Sequence, residues 1–158
     1  MRRSIPLTVL LLSFMVTGAR GAGAQAAPSY HPVAEMQWKD GPPTMPPGTK
    51  MVVLEGDPTV AGMFTMRIKF PAGMHVLPHS HTQTEHATVL SGTLHIGMGT
   101  RFDSAATRPL RTGSFGFWPA GMKHYAWMEG ETVLQLHGQG PWTITYVNPA
   151  DDPRNAKK

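Results

Sequence analysis

The stretch GMHVLPHSHTQTEHATVLSG, residues 73–92, decides the fold of this 158-residue chain. It places His79 and His81 two residues apart, and Glu85 follows after a further three residues. Side chains two apart on an extended strand point to the same side, so the two imidazoles are predicted to face a common point. The short polar segment 82–84 can turn the chain so that the carboxylate of Glu85 faces that point as well.

A second stretch, GSFGFWPAGMKHYAWM at residues 113–128, supplies a third imidazole, His124, behind a Pro-Ala-Gly turn. One strand cannot surround an ion, so a ligand from elsewhere in the chain is needed. Three imidazoles and one carboxylate suit Fe(II), Mn(II), Zn, Ni or Cu(II) rather than calcium or a metal that prefers thiolates. The sequence therefore predicts one divalent transition metal held by four residues: His79, His81, Glu85 and His124.

Both stretches resemble, spacer for spacer, the two signature motifs of the cupin superfamily. The one departure is Met128, where the family usually has Asn. The resemblance implies an all-β fold, a double-stranded β-helix or jelly-roll barrel, and in most members a metal. It does not imply one reaction, because members include dioxygenases, decarboxylases, isomerases, lyases and proteins that only bind a ligand.

The pattern along the chain agrees with that fold. From residue 50 onward, short strands alternate with turn signals every 8–12 residues, which is typical of a β-sandwich or barrel. The segment GMFTMRIKF, residues 62–70, is predicted to bury Phe64, Met66, Ile68 and Phe70 on one face. Strands are also predicted at 51–55, 86–90, 93–98, 114–118, 123–128, 131–137 and 142–147. One barrel at 49–148 accounts for these strands, and no helical period competes with it.

The first 26 residues have the features of an export signal. A positive start is followed by an apolar stretch at 5–16 and by Ala24-Gln25-Ala26, a cleavage pattern. An earlier site at 22–24, an uncleaved anchor helix and twin-arginine export are the alternatives. We therefore expect a periplasmic or secreted protein that has no membrane attachment after cleavage.

Segments on either side of the predicted barrel are rich in proline. Residues 27–48 form a Pro/Gly-rich arm that Met36 and Trp38 are expected to anchor, and the alternative is a disordered leader. Residues 149–158 form a polar tail that we expect at the surface. The arm with Trp38 can reach across to a second copy, so a homodimer is predicted; an arm that folds over its own barrel in a monomer is the alternative.

Composition excludes several classes of function. Removing the first 26 residues takes three arginines away and leaves 11 Lys and Arg against 10 Asp and Glu. No basic patch indicates a nucleic-acid partner. The chain has no cysteine, so no disulfide supports the fold.

Further polar residues are candidates for the pocket beside the metal. His75 is in phase with His79 on a regular strand, and Gln135 and His137 share one face of the strand ETVLQLH. We expect His75 at the barrel mouth and favour an inward Gln135; Met128 also belongs near the site. His86 follows Glu85 directly and is expected to point away from it.

Three kinds of function remain open at this stage. The first is a dioxygenase-like or lyase-like enzyme acting on a small organic molecule at the 3-His/1-Glu metal, with Glu85 able to leave the metal and act as a base. The second is a periplasmic module that binds or senses a metal or small ligand without turnover. A third role, in which the metal only staples the barrel, needs a saturated ion.

Overall fold

Inward-facing apolar side chains on alternate residues build two antiparallel sheets around one core. The computed structural model describes residues 27–156. The strands are β1 (Lys39–Asp40), β2 (Lys50–Glu55), β3 (Gly62–Phe70), β4 (His75–His81), β5 (Glu85–Ser91), β6 (Thr93–Met98), β7 (Arg108–Arg111), β8 (Phe115–Trp118), β9 (His124–Met128), β10 (Thr132–Gly140) and β11 (Ile144–Tyr146). Short 3-10 helices lie at Val33–Glu35, Ser104–Ala106, Pro149–Asp151 and Pro153–Asn155.

The two sheets face one another as the jelly-roll prediction requires. One sheet has the order β1-β2-β3-β10-β5-β8, and the other has the order β11-β4-β9-β6-β7. All strand pairs among residues 27–156 are antiparallel. The predicted all-β jelly-roll is therefore confirmed. The described residues contain no helix that is long and apolar enough to cross a membrane.

The core lies between the two sheets. On β3 the predicted face is buried, since Phe64, Met66, Ile68 and Phe70 are each at most 3% exposed. Leu134 and Leu136 of β10 continue the same layer. Burying such side chains stabilises a fold by about 1.5–3 kcal/mol each relative to exposure, so this layer is a main source of stability in a chain without disulfides.

One strand was missed because its sequence is polar. No strand is predicted between 98 and 114, but Arg108–Arg111 is β7, an edge strand of its sheet. Its Pro109 cannot donate a ladder hydrogen bond, which an edge strand tolerates.

The chain divides into two units, Met1–Tyr30 and His31–Lys158. In the first, residues 27–30 are exposed and have no regular secondary structure, and the expected signal at 1–26 lies outside the described residues. In the second, the arm residues from Met36 onward contact the barrel. β1 pairs with β2, the Nζ atom of Lys69 lies 4.8 Å from the ring centroid of Trp38, and Met45 is buried in the core.

Candidate metal centre

Two strands of one sheet and one strand of the other bring the four predicted ligands together. His79 and His81 lie on β4, and His124, at the start of β9, lies directly opposite His79 in the antiparallel ladder. Glu85 is the first residue of β5 in the facing sheet. The polar segment 82–84 therefore carries the chain from one sheet to the other and points the carboxylate back at the imidazoles.

The donor atoms of these four residues converge. One donor atom from each lies within 4.8 Å of the others. The Oε2 atom of Glu85 is 3.1 Å from Nε2 of His81 and 3.2 Å from Nε2 of His124. Two donors that each lie about 2.1 Å from a metal, at right angles to one another, are about 3.0 Å apart. The spacing of the donors thus fits a transition-metal ion between them.

Backbone carbonyls orient all three rings. The Nδ1 atoms of His79, His81 and His124 lie 2.7, 3.0 and 3.1 Å from the carbonyl oxygens of Leu77, Thr143 and Met122. A carbonyl oxygen can only accept, so each Nδ1 carries the proton and donates.

In the neutral ring, Nε2 then keeps a lone pair, which is the form that binds a metal. The buried Nε2 of His81 has no hydrogen-bond partner. A metal ion would satisfy this atom, because a nitrogen lone pair beside a carboxylate oxygen needs a cation or a proton between them. The four residues can hold a divalent metal.

Burial sets the charge states of the site. Burial, together with the neighbouring His124 and His81, lowers the pKa of His79 to about 3. Burial alone would raise the pKa of Glu85, but interactions with His81 and His124 outweigh it and hold that pKa below its ordinary value. At neutral pH the site therefore offers a carboxylate and a neutral His79, both in metal-binding form.

Apart from these four ligands, the cavity around the donors is lined by apolar side chains. Its volume is about 40 Å³. The indole of Trp142 stacks on His81 at a centroid distance of 4.0 Å, and Trp118 stacks on His124 at 5.4 Å. Met128, which takes the place of the usual Asn, is 1% exposed and lines this cavity, as does Met45 from the arm.

The expected inward orientation of Gln135 is wrong. On β10 the buried residues are Leu134 and Leu136, so Gln135 and His137 lie on the outer face, away from the cavity. There Gln135 accepts a hydrogen bond from Nε of Arg67 at 3.0 Å. The alternation of the strand had left the direction open, and the leucines decide it because they bury more apolar surface than the polar pair could.

His75 is not at the cavity either. It is exposed and stacks on Phe102, with ring centroids 4.7 Å apart, while its neighbour Val76 faces the core. The pairing of β4 with β9 shifts register between Val76 and His79. That irregularity reverses the phase of the strand, so residues four apart no longer share a face.

Two other histidines lie outside the site. His86 points away from Glu85, as expected, and stacks on His137 of the neighbouring strand at 5.0 Å. His95 stacks on Trp127 and lies 3.2 Å from the carboxylate of Glu129. Sequence reasoning missed Met45, since nothing in the proline-rich arm indicates that this methionine reaches the metal cavity.

A jelly-roll barrel with three histidines and a glutamate at this position defines a cupin. Residues 27–143 match the family described as the ChrR Cupin-like domain, and the chain belongs to that family. No curated protein sequence is significantly similar to it.

Solved structures share the fold at low identity. A putative acetylacetone dioxygenase from Methylibium petroleiphilum PM1 is 19% identical, with a TM-score of 0.61 over 83% of this chain and 88% of that one. The polyketide cyclase RemF from Streptomyces resistomycificus is 16% identical, with a TM-score of 0.63 over 80% and 90%. The complex of Rhodobacter sphaeroides SigE with the anti-sigma ChrR contains a chain that is 16% identical, with a TM-score of 0.50 over 68% of this chain and 51% of that one.

Proposed function

We propose that this protein is a metal-dependent enzyme acting on a small organic molecule by dioxygenase-like or lyase-like chemistry. The observation that carries the proposal is four convergent donors at the wall of a buried cavity whose remaining lining is apolar. Such a cavity excludes water and strengthens electrostatic interactions at the reacting atoms. A metal that only stabilises the barrel would not require a cavity beside it.

The ligand set leaves room for a substrate. His79, His81, Glu85 and His124 would hold the ion, and a six-coordinate ion would keep two further positions. When bound, the metal supplies a Lewis acid or an electron conduit for a substrate oxygen. A divalent ion with one carboxylate and three neutral imidazoles would keep one positive charge, and no Lys or Arg of residues 27–156 lines this cavity. The substrate that fits is a monoanion that presents two oxygens, such as the enolate of a 1,3-diketone or a catecholate.

Glu85 has a second role in this proposal. Its carboxylate is ionised and within about 3.2 Å of two imidazole nitrogens. When it is not holding an ion, this carboxylate could take a proton from the substrate. Its low pKa makes it a weak base, so the carbon acid that it deprotonates has to be acidic itself, as the central carbon of a 1,3-diketone is. The similar fold of a putative acetylacetone dioxygenase is consistent with a diketone substrate.

A second candidate is binding or sensing without turnover. It is favoured by the family, whose description names ChrR, and by the fold shared with the chain in the SigE and anti-sigma ChrR complex. In that role the metal or a small ligand would change the surface that a protein partner contacts.

Two measurements on one preparation separate these functions. Protein purified without chelator is expected to contain about one divalent transition metal per chain. Oxygen uptake is then followed with acetylacetone, catechol and pyruvate, and product formation is followed without oxygen to detect a lyase. Uptake or cleavage that His124→Ala abolishes supports an enzyme. A full metal content with no turnover of any of the three favours binding, and less than a tenth of an equivalent after adding Fe, Mn, Zn, Ni or Cu refutes the enzyme and every binding role that uses a metal.

We also propose that the protein is exported, on the signal-like residues 1–26. Fractionation of cells that express the full chain, with mass spectrometry of its N-terminus, tests this. An intact N-terminus in the cytoplasmic fraction would contradict export.

A further inference from the structure

A second cavity lies beside the metal cavity and is several times larger. Its volume is about 270 Å³, against about 40 Å³ around the donors. We name it the side pocket. Its walls include Pro42, Thr44 and Met45 of the arm and Met51, Met66 and Trp142 of the barrel.

The two cavities are neighbours. They share four lining residues, which are Met45, Ile68, Trp142 and Ile144. These four side chains therefore lie at the boundary of both cavities. Met45 is unbranched and flexible, and flexible methionines adapt to irregular ligands. Trp142, by contrast, is stacked on the ligand His81 and forms a flat wall.

The arm is fixed where it forms the outer wall of the side pocket. The hydroxyl of Tyr146 donates to the carbonyl of Thr44 at 3.0 Å, and the backbone N–H of Met45 donates to the carbonyl of Pro42 at 2.8 Å. Burial raises the pKa of Tyr146 to about 12, so this hydroxyl keeps its proton at every physiological pH. The side pocket is thus a built feature of the fold.

Its chemistry selects an uncharged, apolar group. Among the described residues no charged side chain lines the side pocket; its polar groups are three threonines and the indole N–H of Trp142, and prolines, methionines and isoleucines form the rest of the lining. Ligand sites are usually apolar cavities with few polar groups. The metal cavity alone has space for only about three water-sized groups, which is enough for the two oxygens of a chelating head and little more.

We infer that the side pocket binds the apolar tail of the substrate, whose oxygen-bearing head lies in the metal cavity. This inference rests on the proposed function for the head group. It names the substrate class as a small chelating oxygen compound with a hydrocarbon tail, and it assigns Met45 and Trp142 the role of the wall past which that tail runs.

The test compares two probes that differ only in the tail, acetylacetone and 2,4-octanedione, which has three more methylenes. Binding to the Zn(II)-loaded protein is measured by calorimetry. Each buried methylene strengthens binding about fourfold, so octanedione is expected to bind at least tenfold more tightly than acetylacetone. Equal affinities would overturn the inference.

Two threonines provide matched variants. Thr143 and Thr145 are both exposed and lie two residues apart, but only Thr143 lines the side pocket. Thr143→Trp fills the pocket from its rim and is expected to bring the ratio of the two affinities close to one. Thr145→Trp is expected to leave the ratio as in the unaltered protein. A ratio that survives Thr143→Trp contradicts the assignment.

Methionine methyl groups report the position of the tail directly, without any variant. In metal-free protein with 13C-labelled methionine methyls, octanedione is expected to give nuclear Overhauser effects to Met45, Met51 and Met66. The exposed Met63, Met98 and Met122 are the controls. If the protein takes up no metal but octanedione still contacts Met45, Met51 and Met66, the proposed function fails and the assignment of the side pocket stands. Metal and diketone binding with contacts to the controls alone would refute the side pocket and leave the proposed function intact.

Discussion

At the scale of single residues, the motif spacing predicted the site better than it predicted its surroundings. His79, His81, Glu85 and His124 converge because a two-residue step on a strand, a polar bend and a cross-strand neighbour leave little freedom. The prediction for His75 is wrong because a register shift in β4 reverses which residues face the core. No residue in HVLPHSH indicates that shift. The predicted inward orientation of Gln135 is wrong because alternation defines two faces of a strand but does not show which of them is buried.

Removing a ligand is expected to cost far more metal affinity than removing an outer histidine. His79→Ala or His124→Ala deletes a donor within the cluster, so metal affinity is expected to fall by more than about 100-fold, the upper end of the loss for partners that only orient a ligand. His86 stacks on His137 on the opposite face of its strand, so His86→Ala is expected to change affinity less than the 10- to 100-fold typical of partners that orient ligands. Competition with a fluorescent chelator measures all three. Similar losses for all three variants would contradict the placement of His86.

Metal-free protein is expected to lose stability as the pH falls from about 6.5 toward 3. The pKa of His79 is lowered from 6.5 to about 3, so in that window the unfolded chain takes up a proton that the native site refuses. The unfolded state binds more protons than the native state in this window, so the free energy of unfolding decreases as the pH decreases. The lowered pKa of Glu85 acts in the same direction below its ordinary value of 4.5.

Urea midpoints at several pH values, measured in the presence of chelator, check this expectation. His79→Gln is expected to flatten the dependence between pH 6.5 and 4.5. His75→Gln, which alters an exposed ring, is expected to leave it unchanged. A midpoint that rises as the pH drops from 7 to 5 would show that the charge state assigned to His79 is wrong.

At the scale of strands, apolar alternation predicted the elements and failed where polarity or proline hides a strand. The boundaries of β3 and β6 match their predicted ranges, because each strand is bounded by turn signals. β7 was hidden by Arg108 and Pro109, and its single half-buried leucine is too little signal. Edge strands bury less, so their sequences are constrained less by the core.

The contact between β6 and β9 is expected to be intolerant of any side chain at Gly97. A Cβ atom there would lie 2.2 Å from the ring of Tyr125, which is 1% exposed and whose hydroxyl donates to the carbonyl of Asp103 at 3.2 Å. Gly97→Ala is therefore expected to destabilise the fold by about 1–3 kcal/mol. Since Tyr125 adjoins His124 on β9, metal affinity is expected to fall as well.

Thermal unfolding and metal titration of the alanine variant test this. The control is Gly130→Ala, because nothing lies within 4 Å of a Cβ atom built at Gly130. That variant is expected to keep both its melting temperature and its metal affinity. If Gly97→Ala behaves like the control, the close approach of β6 to the Tyr125 ring is wrong.

At the scale of the whole molecule, the arm packs against the barrel more extensively than the sequence indicates. Residues 36–48 add β1, place Met45 in the core and line the side pocket. Proline-rich composition predicts an absence of helix but carries no information about what an extended segment covers. Deleting residues 27–48 is therefore expected to lower the melting temperature of the chain itself, whatever its oligomeric state.

The outer edge of β8 offers a second surface, besides the arm, for the predicted homodimer. Strand β8 ends its sheet, and Phe115 and Phe117 are 54% and 59% exposed beside His86. Open strand edges and exposed aromatic patches both favour association.

Light scattering of the chain from residue 27 onward is expected to give the mass of two chains at micromolar concentration. Phe117→Lys is expected to shift it toward one chain, because a charge placed in an apolar interface must be desolvated without a partner. Met98→Lys, at an exposed methionine in the other sheet, is the matched control and is expected to remain dimeric. A mass of one chain for the unaltered protein would refute the dimer, and a dimer that survives Phe117→Lys would place the interface elsewhere.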